Sequence, residues 1–303
     1  MAAFDRIVIV FNPHSTGDAP TLARELRDDL AERHPDLPIE LAPTERAGHA
    51  RELARAAAAH GRPLVVSVSG DGGFNEVVNG LVDAGNPDAA GAVRGAGNAN
   101  DHRRVTRRRP LAESIAEGKV DYLDVLRLTI GDHVRYAHSY IGLGITPVVA
   151  LALERGGKGS LRELWTTGRE FLHFAPFEIE LEAFEGESRD GVGVGEYLGR
   201  RRYDSLIVAN LSEMAKYARL SDGDPADGRF EIVSIPHRGR FRLLLTGLRA
   251  AWKGLGWQPS ARRLRFRTLD QELPLQLDGE VIMLPTDTPV TIELIPGALA
   301  TLR

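Results

Sequence analysis

The chain has 303 residues, 43% of them hydrophobic and 26% charged, which is enough apolar content to fill two cores and excludes a disordered chain. Its 38 basic and 42 acidic residues leave a net charge of −4, so no global basic excess points to a nucleic-acid partner. Cysteine is absent, which removes disulfides, thiolate metal sites and a cysteine nucleophile, and fits a cytoplasmic location.

Met1–Arg6 carries no basic patch and leads into a short apolar run, Ile7–Phe11, so no secretory leader is expected. Nowhere does an apolar run approach the ~20 residues that cross a bilayer, so a soluble chain is expected, with any membrane contact peripheral, at the inner face.

In chain order, Arg6–Phe11 reads as a first strand, Pro20–Arg33 as a helix, Pro38–Leu41 as a short strand and Gly48–His60 as a second helix. Pro63–Val68 reads as a strand running into Ser69-Gly70-Asp71-Gly72-Gly73, with a helix through Phe74 to Asp83. This alternation of short β-branched runs with longer helical stretches is the pattern of βαβ units. It predicts a doubly wound α/β domain over residues 1–125.

From Val125 the texture changes to strand-like segments at Leu126–Thr129, Glu178–Leu181, Ser205–Val208, Phe230–Val233, Leu264–Phe266 and Val290–Leu294. Residues 126–303 are expected to form a mostly antiparallel, β-rich sandwich, its last segment open to packing back on the first domain. Two helical stretches, Pro147–Phe174 and Gly239–Gly256, interrupt it, and the polar, Gly-spaced Glu185–Arg202 reads as a long loop.

Three glycine-rich turns follow predicted strands, where an open α/β sheet presents its ligand crevice: Asn12-Pro13-His14-Ser15-Thr16-Gly17, Ser69–Gly73, and Gly95-Ala96-Gly97-Asn98-Ala99-Asn100-Asp101. Each can turn backbone N–H groups toward an anion, and a polyphosphate is the natural guest. Asp71 sits inside the second turn, and Asn75 and Glu76 lie one helical turn later at the mouth of the same helix. An acid there repels phosphate unless a metal or a proton transfer gives it a task.

Taken in order, these motifs resemble the diacylglycerol kinase catalytic-domain superfamily, which includes bacterial lipid kinases and the sphingosine and ceramide kinases. Asn12–Gly17 is similar to the family's Asn-Pro-x-Ser-Gly nucleotide loop, and Thr44 to its nucleotide-contacting threonine. Ser69–Gly80 is similar to the Gly-Gly-Asp-Gly-Thr-x-x-Glu-x-x-Asn-Gly signature, and Gly97–Asp101 to Gly-Thr-x-Asn-Asp. Asp224–Arg229 looks like a turn that binds a structural Mg²⁺, and Leu277-Asp278-Gly279-Glu280 like the Asp-Gly-Glu element that holds the proposed base. Three positions depart from the pattern: Gly73 and Asn98 stand where the family has threonine, and Gly95 where it has proline.

The resemblance implies a nucleotide domain like that of the NAD kinases and transfer of the γ-phosphoryl of ATP to a lipid hydroxyl, with Mg²⁺ offsetting charge. It implies ATP contacts from Asn12, Pro13, His14, Ser15, Thr16, Thr44, Gly70, Asp71, Gly72, Gly73, Asn75, Glu76, Asn98, Asn100 and Asp101. Glu280 and Asp71 are the two candidates for the base; Glu280 is preferred, with Asp71 at the catalytic metal. Asp227 would give the structural Mg²⁺ a carboxylate, and Asp224 and Arg229 backbone carbonyls.

Gly156–Ser160 lacks the Lys-Ser/Thr adjacency of a Walker loop, and Gly191–Gly195 sits in a polar loop, so both read as connections. Arginine clusters at Arg103–Arg109 and Arg262–Arg267 read either as solvated, charge-balanced faces or as attraction to anionic lipid headgroups. The competing functions are an NAD kinase-like enzyme and a nucleotide- or lipid-binding protein that no longer transfers phosphate; a homodimer is left open.

Overall fold

A computed structural model describes residues 3–15, 18–96, 109–144, 176–187, 198–214, 218–219, 221, 223–237 and 255–302. The expected helix Pro147–Phe174, nearly all of Gly239–Gly256, the glycine runs Gly156–Ser160 and Gly191–Gly195, and Arg103–Arg108 lie outside these residues. The chain divides into two compact units, residues 1–125 with 296–303, and residues 126–295.

Unit 1 begins with β1 (Arg6–Phe11), α1 (Ala19–Arg33), β2 (Ile39–Pro43), α2 (His49–Ala58), β3 (Pro63–Ser69), α3 (Asp71–Ala84) and β4 (Ala90–Gly95). After α4 (Leu111–Glu117), β5 (Val120–Ile130) carries the chain into unit 2. The order β2–β1–β3–β4 is parallel throughout, with Ile7 beside Ile39 and Leu64, and Val65 beside Gly91. Alternation along the strands feeds two faces. Ile7, Ile9, Leu64, Val66 and Val68 pack with Leu26 and Leu30 of α1 and Leu111 and Ile115 of α4. Val8, Val10 and Val65 point the other way and are equally buried, so both faces are covered, as a parallel sheet requires.

Unit 2 contains β6 (His133–Ala137), β7 (Tyr140–Gly144), β8 (Phe177–Glu187), β9 (Gly199–Ala209), β10 (Glu213–Met214), β11 (Ala218–Arg219) and β12 (Phe230–Pro236). Four more strands follow: β13 (Ser260–Thr268), β14 (Leu273–Leu277), β15 (Glu280–Leu284) and β16 (Pro289–Leu302), the last of which ends in unit 1. The pairings registered among the described residues of this unit are antiparallel. β8 pairs with both β9 and β13, and β12 pairs with the same two strands, meeting β13 only at Phe230 and Glu231, so the pairings form a closed circuit of four strands. Phe230, Phe266, Ile141, Leu143, Ile179 and Leu275 fill the core behind it.

Two expectations change in extent. The Glu185–Arg202 loop is shorter than expected, because Glu185–Glu187 continue β8 and Gly199–Arg202 begin β9. Glu178 faces Arg202 and Glu180 faces Arg200 across the ladder, so a charged solvent-facing edge mimics loop composition. The strand read at Leu126–Thr129 starts six residues earlier, at Val120.

Candidate functional site

In unit 1 the strand order turns back on itself at β1, whose neighbours β2 and β3 lie on opposite sides; ligands of open α/β sheets bind outside the carboxyl ends of strands at such a point. A cleft of about 490 Å³ lies there. Val10, Phe11 and Asn12 from the end of β1, Thr44–Ala47 after β2, Ser67 and Ser69 of β3, and Gly73 and Glu76 of α3 line it together with His14 and Ala50. Its volume lies within the range of small-molecule sites.

Local bonds shape each wall. The Asn12 Oδ1 accepts the His14 N–H at 2.9 Å and the Asn12 carbonyl accepts the Ser15 N–H at 3.2 Å, which folds the first turn tightly over the end of β1. Thr44 N–H donates to the Phe11 carbonyl at 2.9 Å and so continues the β1–β2 pairing into the loop. Glu76 reaches from α3 to accept the Gly48 N–H at 3.2 Å, where Gly48 begins α2 with φ +79°. The signature glutamate therefore fastens the loop that carries Thr44. Arg46, at the rim, donates to both Glu52 oxygens at 2.8 and 2.6 Å, and that bond holds the Glu52 carboxyl below its ordinary range.

Asp71 is the first residue of α3 and lies between cleft-lining Ser69 and Gly73, where the helix's positive end favours a carboxylate. Gly70 precedes it with extended backbone, and Gly72 is exposed. Asn75 takes no part in the lining: it is buried, and Asn79 Nδ2 donates to its carbonyl at 2.8 Å. Pro13 and Ser15 belong to the first turn without lining the cleft. Thr16, Asn98, Asn100 and Asp101 lie outside the described residues. The structure thus brings Asn12, His14, Thr44, Gly73 and Glu76 to one cleft. It adds Glu45, Arg46, Ser67 and Ser69 as lining residues to which the motifs assign no contact; nearness to Thr44 and to the Gly-Asp-Gly turn was the available signal.

In unit 2, β14 and β15 form a hairpin whose two connecting residues, Asp278 (φ +44°) and Gly279 (φ +94°), are both left-handed, as a tight hairpin connection demands. The two acids there have opposite surroundings. Asp278 is buried, and its carboxylate accepts backbone N–H bonds from His138 (2.6 Å), Ser139 (3.1 Å) and Tyr140 (2.8 Å), with the His138 Nδ1 at 2.7 Å. Glu280 is exposed, with the Arg135 guanidinium at 3.8 Å.

The turn Asp224–Arg229 is stitched by its own acids. Asp224 Oδ1 accepts the Ala226 N–H at 3.1 Å and Asp227 Oδ1 accepts the Arg229 N–H at 2.9 Å. Glu231 of β12 lies buried nearby, and burial, with the negative charges of Asp227 and Asp224, pushes its carboxyl up to about 7. Among the described residues no three histidine or acid side chains converge as a metal cage. Of the second arginine cluster, Arg263 pairs with Glu185 and Glu293, Arg265 with Glu182, and Arg267 with Glu182 and Asp287, which makes that part of it a charge-balanced face.

Unit 1 is thus a doubly wound α/β unit with a cleft at the turning point of its sheet, the place where open α/β sheets bind ligands. Residues 6–128 match the model of the diacylglycerol kinase catalytic domain, the family whose motifs the chain resembles. No curated protein sequence matches the chain. Among solved structures it is similar to two described as diacylglycerol kinases from Bacillus anthracis str. Sterne, one of them provisionally so. These superpose with TM-scores of 0.73 and 0.72 at 18% and 19% identity, covering 99% of this chain and 97% of each of theirs. At that identity the likeness concerns the fold. Among the described residues no helix is long and apolar enough to cross a membrane.

Proposed function

We propose that the chain is an ATP-dependent lipid kinase, with the nucleotide in the cleft of unit 1. One observation carries this reading: five motif residues that are far apart in sequence, Asn12, His14, Thr44, Gly73 and Glu76, line a single cleft at the carboxyl ends of parallel strands. The reaction moves the γ-phosphoryl of ATP to a lipid alcohol. The alcohol oxygen bonds to the γ-phosphorus, the bond from that phosphorus to the β–γ bridging oxygen breaks, ADP leaves, and a carboxylate takes the alcohol's proton.

Such a transfer needs positioning and charge neutralisation more than covalent chemistry. The first turn of α3 offers backbone N–H groups to phosphate oxygens, whereas the His14 and Ser15 N–H groups bond within the Asn12 turn itself. A Mg²⁺ arriving with the nucleotide would neutralise phosphate charge, and it asks only one or two carboxylates of the protein. Asp71, beside the cleft at the start of α3, suits that part. Glu280 is assigned as the proton acceptor because its carboxylate is exposed, whereas the oxygens of Asp278 are committed to backbone donors. A structural Mg²⁺ at Asp224, Asp227 and the Arg229 carbonyl belongs to the same reading, as does a peripheral approach to an anionic membrane surface.

The test is Mg²⁺-dependent ³²P transfer from ATP to a total lipid extract, with Asp71→Asn and Glu280→Gln alongside. A labelled lipid formed by the unmodified chain is expected, with transfer abolished in Asp71→Asn and lowered roughly 10²- to 10⁴-fold in Glu280→Gln, whose ATP binding stays intact. Label entering NADP instead would favour the NAD kinase-like alternative, and ATP binding without any transfer would favour a binding-only protein.

A further inference from the structure

The first turn of α3 leaves no room for a side chain at residue 73, and the reason is specific. A Cβ placed on Gly73 would lie 2.7 Å from the Cβ of Ser69 and 2.8 Å from its Oγ. The obstructing Cβ belongs to the last residue of β3 and cannot swing away, because it is fixed to the strand backbone. Residues 69 and 73 therefore compete for one space at the cleft wall, and both line that cleft. In this chain Ser69 occupies it.

The Ser69 hydroxyl is also backed from below. Its oxygen lies 2.7 Å from the hydroxyl of buried Ser67, and its proton reaches the Gly70 carbonyl at 2.9 Å. When Ser67 donates to Ser69, the Ser69 proton stays available, and rotation about its C–O bond turns it from Gly70 to an acceptor in the cleft. A neutral hydroxyl supported in this way is a good donor to an anionic oxygen and carries no charge that would clash with the neighbouring Asp71.

We propose that Ser69 supplies the side-chain hydrogen bond to the phosphates of the nucleotide, and that glycine at 73 is the condition for it. The two positions form a reciprocal pair, in which one hydroxyl is presented to the phosphates either from the strand side at 69 or from the helix side at 73, never from both. This rests on the cleft being the nucleotide site.

The experiment compares the full chain with Ser69→Ala, Gly73→Thr and the exchange Ser69→Gly/Gly73→Thr, measuring MgATP and adenosine affinity by calorimetry and melting temperature without nucleotide. Ser69→Ala should melt like the unmodified chain but bind MgATP roughly 10- to 100-fold more weakly, with adenosine affinity unchanged. Gly73→Thr should melt lower and lose MgATP affinity, and the exchange should recover both. Unchanged MgATP affinity in Ser69→Ala overturns the hydroxyl's role, and an exchange as damaged as the two single changes together overturns the reciprocity. Should the unmodified chain bind no MgATP, the nucleotide reading falls and the phosphate contact falls with it. Loss of MgATP affinity confined to the variants leaves the nucleotide reading standing and bears on the pair alone.

Discussion

Asp278 joins a hairpin tip to a segment of chain some 140 residues earlier, because three successive backbone N–H groups, of His138, Ser139 and Tyr140, converge on its carboxylate. Truncation to alanine would leave those donors buried and unpaired, so Asp278→Ala should cost about 3 kcal/mol or more, read as a lowered urea midpoint. Glu280→Gln, two residues on and exposed, should leave that midpoint within about 0.5 kcal/mol of the unmodified value while lowering transfer. A matching loss of stability in both variants would mean that the two acids share one structural task. The Asp-Gly pair is legible in the sequence as a hairpin turn. The burial of its acid is not, since nothing local to Leu277–Glu280 points to residues 138–140. Ser69 teaches the converse: its hydroxyl reads as incidental until the shape of its neighbour at 73 is known.

Among the elements, α2 and α3 pack closely, and Gly80 is where they meet. A Cβ there would collide with the Arg51 carbonyl and would stand 2.8 Å from the Ala54 Cβ and 2.9 Å from the Arg55 nitrogen. Small residues on the facing side, Ala50, Ala54 and Ala58, are all buried. Arg51 adds a two-pronged bond to Asp83, at 2.6 and 3.0 Å, between the same helices. Gly80→Ala should therefore push the helices apart and cost roughly 1–3 kcal/mol. Because α2 begins at Gly48, held by Glu76, the displacement should reach the Thr44 loop and weaken MgATP binding as well. A variant with normal stability and normal affinity would show that the contact has slack. Elements of this unit were legible because their periodicities are clean: α1 was expected at Pro20–Arg33 and spans Ala19–Arg33. The strands of unit 2 were less so, since β6 carries charge and β14 and β15 are short runs around the turn. Charged residues on exposed ladder positions of β8, β9 and β13 conceal strand periodicity for the same reason.

At the scale of the whole molecule, the chain leaves unit 1 within β5 and re-enters it within β16. Thr301 pairs with Gly91 of β4, and its Oγ1 donates to the Gly91 carbonyl at 3.1 Å, while Leu299, Ala300 and Leu302 are buried. Gly297 N–H donates to the buried Asp124 at 2.8 Å, an acid that the motif reading passed over because a lone aspartate in an apolar strand resembles no signature. Removing residues 296–303 should cost unit 1 roughly 5 kcal/mol of apolar burial. Hydrogen exchange should then show amides of β3 and β4 losing protection while those of β9 and β12 keep theirs; unaltered protection at Gly91–Val93 would show that the returning strand is dispensable. The sequence Leu299-Ala300-Thr301-Leu302 announces a strand but not its neighbour. That placement also orders events during synthesis. The edge of the first sheet emerges from the ribosome early, yet the strand that covers it follows 210 residues later, roughly ten to forty seconds at usual translation speeds. In that interval β4 presents an open, apolar border, so the nascent chain has a stronger claim on a chaperone than the finished protein does.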